Sequence, residues 1–103
     1  MNLNLDEMIQ KTDAGSLRGI QKEIACDCWF TSQGRSIPRL IKIMDEEGVL
    51  HTTDSVHVLY TEEKRYSGIP TVEHLCKISI EGRQATVKLI FRKESCVWSI
   101  VSV

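Results

Sequence analysis

The C-terminal part of the chain alternates apolar and polar residues with a period of two, and this pattern constrains the fold more than any other. Three segments show it, 75–80, 85–92 and 96–103, with short polar turns between them. Successive side chains of a β-strand point to opposite faces of a sheet. Short turns between consecutive strands make those strands antiparallel neighbours. The sequence therefore predicts a three-stranded antiparallel meander from Leu75 to Val103.

The beginning of the chain has helical spacing instead. A short helix is predicted over residues 5–12, and Asp13-Ala14-Gly15 ends it. A second helix is predicted from Ser16 to about Trp29, with an apolar stripe of Leu17, Ile20, Ile24 and Cys28. The expected fold class is α+β in a single domain, 1–103. The N-terminal helices would pack on one face of a four- to five-stranded antiparallel sheet that ends in the C-terminal meander.

Residues 37–48 fit two structures. As a helix, Ile37, Leu40, Ile41 and Met44 would share one face. As a β-hairpin, residues 39–44 would be extended, 45–48 would form the turn, and 49–53 would return. Three consecutive acids before Gly48 suit a turn and oppose the dipole at a helix C-terminus. We favour the hairpin and keep the helix as the alternative.

Composition narrows the function classes. The chain has 103 residues and a formal net charge of −1, so it lacks the basic excess typical of a general nucleic-acid binder. No segment approaches the roughly 20 apolar residues of a membrane span. The N-terminus resembles no secretory signal. We therefore expect a cytoplasmic protein with no membrane contact.

No motif predicts catalysis, a cofactor or a metal. The four cysteines are expected to be reduced thiols, because disulfides in short chains belong to secreted proteins. Cys26 and Cys28 are too closely spaced for an ordinary zinc half-site. None of the three histidines lies in a signature of a cysteine or serine nucleophile. The sequence predicts a protein that is not an enzyme.

Two surface features predict partner binding. A basic stripe on the sheet would meet phosphate or an acidic protein surface. The last strand is apolar on both faces, so one face is expected to need a second cover, supplied by a partner, by a copy of the chain or by the N-terminal segment wrapping round. The residues predicted to bind a partner are Arg83, Lys88, Arg92, Lys93, Val97 and Val101. If the last strand lies at an edge of the sheet, it would also support a homodimer.

Two resemblances extend these expectations. Read as a helix, the segment 36–50 resembles the recognition helix and wing entry of winged-helix regulators, and Arg35, Arg39 and Lys42 would then face the DNA groove. In size and layout, the whole chain resembles the small anti-CRISPR proteins of phages and mobile elements that act on Cas9.

The second resemblance implies a stoichiometric inhibitor that blocks the nuclease or its guide-RNA loading. The near-neutral charge fits binding to the Cas9 protein better than DNA mimicry. The predicted function is therefore a non-enzymatic inhibitor or regulator of a host protein or of a nuclease–RNA complex, with possible local contact to nucleic acid. The alternative is a winged-helix DNA-binding regulator.

Overall fold

The computed structural model describes residues 21–103, and this part of the chain is all-β. The α+β prediction is wrong for these residues, because they contain strands and turns and no helix, and hence no helix that could cross a membrane. The predicted helix over residues 5–12 lies outside the described residues. The strands are β1 (Gln21–Phe30), β2 (Ser36–Met44), β3 (Leu50–Thr53), β4 (Val56–Tyr66), β5 (Ile69–Ile80), β6 (Arg83–Arg92) and β7 (Val97–Ser102).

These strands form one antiparallel sheet in the order β3-β2-β1-β7-β6-β5-β4, which curls into a half-barrel. The core fills the inner face of the curl, where side chains from β2 and from β5–β7 meet. Its fully buried members are Ile41, Ile43, Cys76, Ile78, Ile80, Val87, Leu89 and Ile100. A curled sheet closes part of this core against itself.

The helix predicted from Ser16 to Trp29 is replaced by β1 over residues 21–29, and its first part, 16–20, lies outside the described residues. Ile24 and Cys28 are four residues apart, a spacing that fits one face of either a helix or a strand. Cys26 lies between them and also faces the core, whereas Ala25 and Asp27 are exposed. β1 pairs with β2 along residues 25–30 and with β7 along residues 21–24. These pairings come from residues distant in sequence, and they override the local helical spacing.

The hairpin interpretation of residues 37–53 is confirmed. β2 and β3 pair in register from Ile41 with Thr53 to Met44 with Leu50. The Asp45 carboxylate accepts hydrogen bonds from the backbone N–H groups of Glu47 and Val49. The winged-helix alternative therefore loses its recognition helix, because the residues that would form it belong to a strand.

The edge strand β4 is longer than the sequence indicates. The segment from Glu62 to Gly68 is polar and its composition is typical of a turn, but residues 62–66 continue the strand, and only Ser67 and Gly68 turn the chain. Both have positive φ, 52° and 82°, as a two-residue hairpin turn requires. A bulge at Leu59 shifts the register, so Val58 pairs with Cys76 and Tyr60 pairs with Leu75.

The C-terminal meander is confirmed, with β5, β6 and β7 as consecutive neighbours. β7 is not an edge strand, however, because β1 pairs with its other side. The homodimer expected through β7 therefore has no free edge there. In the described part of the chain the edges are β3 and β4.

Candidate functional site

An exposed apolar surface lies at the end of the β1–β2 hairpin. Trp29 is 59% exposed and Phe30 is 58% exposed, and Ile37 pairs with Trp29 across the two strands. The guanidinium carbon of Arg39 lies 4.1 Å from the centre of the Trp29 ring, a cation–π contact. We call Trp29, Ile37 and Arg39 the hairpin surface; Phe30 points to the opposite face of β1, where its ring lies 5.8 Å from that of Phe91.

A bulge in β2 places Arg39 there. Cys28 pairs with Pro38 and Asp27 pairs with Leu40, so Arg39 is the extra residue of the bulge. Proline has no N–H to donate and is found in sheets at such irregularities. The sequence Ile37-Pro38-Arg39 therefore breaks the alternation of β2 and directs the guanidinium over the neighbouring indole.

A cleft of about 750 Å³ adjoins the hairpin surface at the open end of the half-barrel. The β1–β2 turn forms one wall, and β4 with the β6–β7 turn forms the other. The Thr31 hydroxyl accepts hydrogen bonds from the N–H groups of Gln33 and Arg35, which fixes the first wall. Lys93 lies 3.4 Å from Glu63 at the opposite rim. The cleft therefore has a polar rim beside an apolar surface.

A buried histidine joins the two walls beneath the cleft. His74 Nε2 lies 2.9 Å from the Ser36 hydroxyl, and its Nδ1 lies 2.8 Å from the Thr61 hydroxyl. The imidazole stacks against Trp98, with ring centres 5.8 Å apart. Burial lowers the pKa of His74, because the charged ring would lose its hydration. The ring is therefore neutral near pH 7, donating from one nitrogen and accepting at the other.

This arrangement was missed by sequence reasoning. Ser36 and His74 are 38 residues apart, and no local pattern links them. A serine beside a histidine is also the pair used in nucleophilic catalysis, where a third group orients the base. Here that third position is the Thr61 hydroxyl instead of a carboxylate. The network connects β2, β4 and β5 and holds the cleft walls in place.

The predicted partner-binding residues separate into three places. Lys88, Arg92, Val97 and Val101 share the outer face of β6 and β7, as predicted for the two basic residues. Arg83 begins β6 at one end of the sheet, and Lys93 follows β6 at the other end. The structure therefore does not bring the six residues into one continuous surface.

Two of the basic side chains on the outer face contact neighbouring polar groups of the same chain. Lys88 Nζ lies 3.4 Å from a carboxylate oxygen of Glu73. Arg92 donates to the Ser99 hydroxyl at 2.9 Å and to the Gln21 amide oxygen at 2.8 Å. A binding partner would therefore have to compete with these contacts.

Glu73 is a buried carboxylate at the centre of these outer-face contacts. Burial opposes its ionisation, but the Tyr66 hydroxyl donates to it, and Lys64 lies 3.3 Å away. The hydrogen bond and the nearby ammonium groups outweigh the burial, so the pKa of Glu73 is lowered. The buried charge is therefore compensated within the chain.

The cysteines lack the surroundings of reactive thiolates. Cys26 and Cys76 are both free thiols, and burial raises the pKa of each to about 12. Cys26 and Cys28 share the inner face of β1, contrary to the opposite orientations that a helix would give them. Within residues 21–103, no group of three or more His, Cys, Asp or Glu side chains is placed to hold a metal ion.

Comparison of the chain with protein-family models, curated proteins and solved structures finds no match. The function must therefore be inferred from the residues of this chain. The hairpin surface and its cleft are the candidate site, because they combine an exposed indole with a fixed backbone turn.

Proposed function

We propose that this protein is a non-enzymatic binding protein that recognises another protein through the hairpin surface. The observation that carries the proposal is the exposed Trp29 indole held against Arg39 at 4.1 Å. Tryptophan and arginine are enriched among the residues that dominate the binding energy of protein interfaces. Ile37, which pairs with Trp29, extends the apolar area beside them.

The hairpin surface is also pre-organised. The cation–π contact restricts both Trp29 and Arg39 before any partner arrives, and the Thr31 hydroxyl fixes the adjoining turn. Restricting side chains in the free protein reduces the entropy lost on binding. A partner that covers the indole therefore gains apolar contact at a small conformational cost.

The charge balance favours a protein partner over nucleic acid. Aromatic side chains also stack on the bases of single strands, but such sites follow the backbone with a positively charged groove. This chain carries a net charge of −1, and Lys93 at the cleft rim is paired with Glu63. A nucleic-acid partner would be recognised in binding assays by steep weakening with salt.

The narrower form of the proposal is that the partner is a Cas9 nuclease or its guide-RNA complex. Its support is the resemblance of the sequence in size and layout to anti-CRISPR proteins. The helical part of that layout is replaced by sheet in residues 21–103. The hairpin surface provides a binding site that does not depend on those helices.

The test is affinity capture from lysates of candidate host bacteria, with Trp29→Ala and Leu50→Ala compared with the unchanged chain. Leu50 is 54% exposed and lies near the other end of β2, so it is a matched exposed apolar residue. We expect a partner that is lost with Trp29→Ala and retained with Leu50→Ala. A partner retained equally by both variants would refute the hairpin surface.

Purified Cas9 tests the narrower form. The full chain is added in excess to Cas9 before or after guide-RNA loading, and DNA cleavage is measured. We expect inhibition that Trp29→Ala relieves at least tenfold in concentration, because hot-spot truncations cost roughly 2 kcal/mol or more. Unchanged cleavage by Cas9 nucleases of the host bacteria rejects the Cas9 form of the proposal.

A further inference from the structure

β4 forms one edge of the sheet in the described part of the chain. Within residues 21–103, no strand pairs with the side of β4 that faces away from β5. The residues from Leu59 to Tyr66 are all exposed except Lys64. An exposed edge of this length is a template for another strand. Its side chains therefore decide which strand can pair there.

The bulge at Leu59 gives this edge an unusual pattern. It moves Tyr60 to the outer face of the sheet, where Glu62, Lys64 and Tyr66 also lie. Along the outer face the order is Tyr, Glu, Lys, Tyr. When this order is placed antiparallel to a copy of itself, each tyrosine faces a tyrosine and each glutamate faces a lysine. The edge is therefore complementary to itself in charge, and its tyrosines face each other.

We propose that two copies of this chain form a dimer by antiparallel pairing of their β4 edges, with the two-fold axis at Glu63. In this register Tyr60 faces the partner's Tyr66, and Glu62 faces the partner's Lys64. Aromatic pairs and opposite charges directly across two antiparallel strands stabilise a sheet. The two half-barrels then share one continuous sheet, and the same surface serves both subunits.

The charges select this register over its neighbours. A two-fold axis perpendicular to the sheet requires one residue to face its own copy. An axis at Glu62 would place two glutamates together on the outer face, and an axis at Lys64 would place two lysines together. Like charges directly opposite each other destabilise the pairing. The axis at Glu63 avoids both arrangements on the outer face.

On the inner face, this register brings two like charges together. Glu63 faces the partner's Glu63 on the axis, and the two carboxylates repel each other. Each Glu63 lies 3.4 Å from the Lys93 ammonium of its own chain, which offsets part of this repulsion. Lys64 also lies 3.3 Å from its own Glu73, so its ammonium is shared between that carboxylate and the partner's Glu62. The dimer is therefore expected to be reversible, and removal of the Glu63 charge should strengthen it.

The test is analytical ultracentrifugation of the full chain over a wide concentration range. We expect a monomer–dimer equilibrium. Glu62→Lys should raise the dimer dissociation constant roughly tenfold, because two symmetry-related pairs change from attraction to repulsion. Glu46→Lys is the matched control: it makes the same charge change at an exposed residue in the β2–β3 turn and should leave the constant unchanged.

A third variant separates a specific register from general charge effects or damage to the fold. Glu63→Gln should lower the dissociation constant several-fold, a strengthening that misfolding does not produce. Circular dichroism confirms that each variant keeps its sheet. A chain that stays monomeric at every concentration overturns the proposal. A dimer that responds equally to Glu62→Lys and Glu46→Lys, or that Glu63→Gln weakens, overturns it as well.

Discussion

The assignment of residues 36–44 to a strand can be tested with two isoleucines of that strand. Ile43 faces the core and is 2% exposed, whereas Ile37 is 40% exposed on the hairpin surface. A helix over the same residues would reverse this order, because it would bury Ile37 with Leu40, Ile41 and Met44 and leave Ile43 off that face. Ile43→Ala and Ile37→Ala therefore form a matched pair.

The expected magnitudes follow from burial. Truncation of a fully buried isoleucine to alanine removes apolar contacts and leaves a cavity, which costs about 2–5 kcal/mol of unfolding free energy. At Ile37 solvent can fill the vacated space, so only part of the transfer free energy is lost, about 1 kcal/mol. The difference of about 2 kcal/mol corresponds to roughly 8–16 °C in Tm for a domain of this size.

The assay is chemical and thermal unfolding of the full chain followed by circular dichroism. We expect Ile43→Ala to lower the midpoint far more than Ile37→Ala, with little change in the denaturant slope. The control is Leu50→Ala, which removes an exposed side chain and should cost little. If Ile37→Ala destabilises the protein as much as Ile43→Ala, the strand register of β2 is refuted.

Three further predictions concern titratable groups. Hydrogen bonding to Asp45 raises the pKa of His51. The hydrogen bond therefore stabilises the fold fully at a pH below the pKa of His51 in the unfolded chain, and this stabilisation is lost as the pH rises through the pKa of His51 in the folded chain. The stability lost in His51→Gln should shrink over the same pH range. Burial lowers the pKa of His74, so the free energy of unfolding should fall as the pH drops below about 6.5, by at most about 1.4 kcal/mol per pH unit for that proton. In urea unfolding, His74→Gln should remove this pH dependence. An unchanged pH dependence would contradict a buried neutral ring. Iodoacetamide at pH 8 should alkylate exposed Cys96 well before buried Cys76, because burial raises the pKa of Cys76 to about 12. Mass spectrometry of the native protein measures the two alkylation rates, and equal rates would contradict the burial of Cys76.

Local features of the sequence were sufficient for the meander and the β2–β3 hairpin. The alternation over 75–103 has no competing helical period, and short polar turns separate its strands. At 45–48 the acids before Gly48 indicate a turn, and the Asp45 carboxylate makes the expected hydrogen bonds to the following backbone. In both places the residues that decide the structure are close together in sequence.

β1 and the second half of β4 could not be assigned correctly in this way. The apolar spacing of β1 fits a helix as well as a strand, and the choice was made by pairing with β2 and β7. The segment 62–66 is polar because it lies at an exposed edge, where charges protect a strand from indiscriminate pairing. Polarity in such a strand is easily mistaken for a turn.

The candidate sites depended even more on tertiary structure. The sequence predicted a basic stripe, and the structure does place Lys88 and Arg92 on one face, but it also brings Glu73 to Lys88. The hairpin surface and the self-complementary edge were not predicted, because each depends on a bulge, at Arg39 and at Leu59 respectively. A bulge shifts every later side chain to the other face, and period-two patterns alone do not reveal where it occurs.

The sequence by itself therefore determined that the C-terminal residues form antiparallel neighbours, since alternation and short turns act within a few residues. Only the tertiary structure decided that the preceding residues are also strands, that β7 lies inside the sheet, and that His74 joins Ser36 to Thr61. The physical reason is that strand pairing is made by partners far apart in the chain. Its energy is realised only when the sheet curls and brings those partners together.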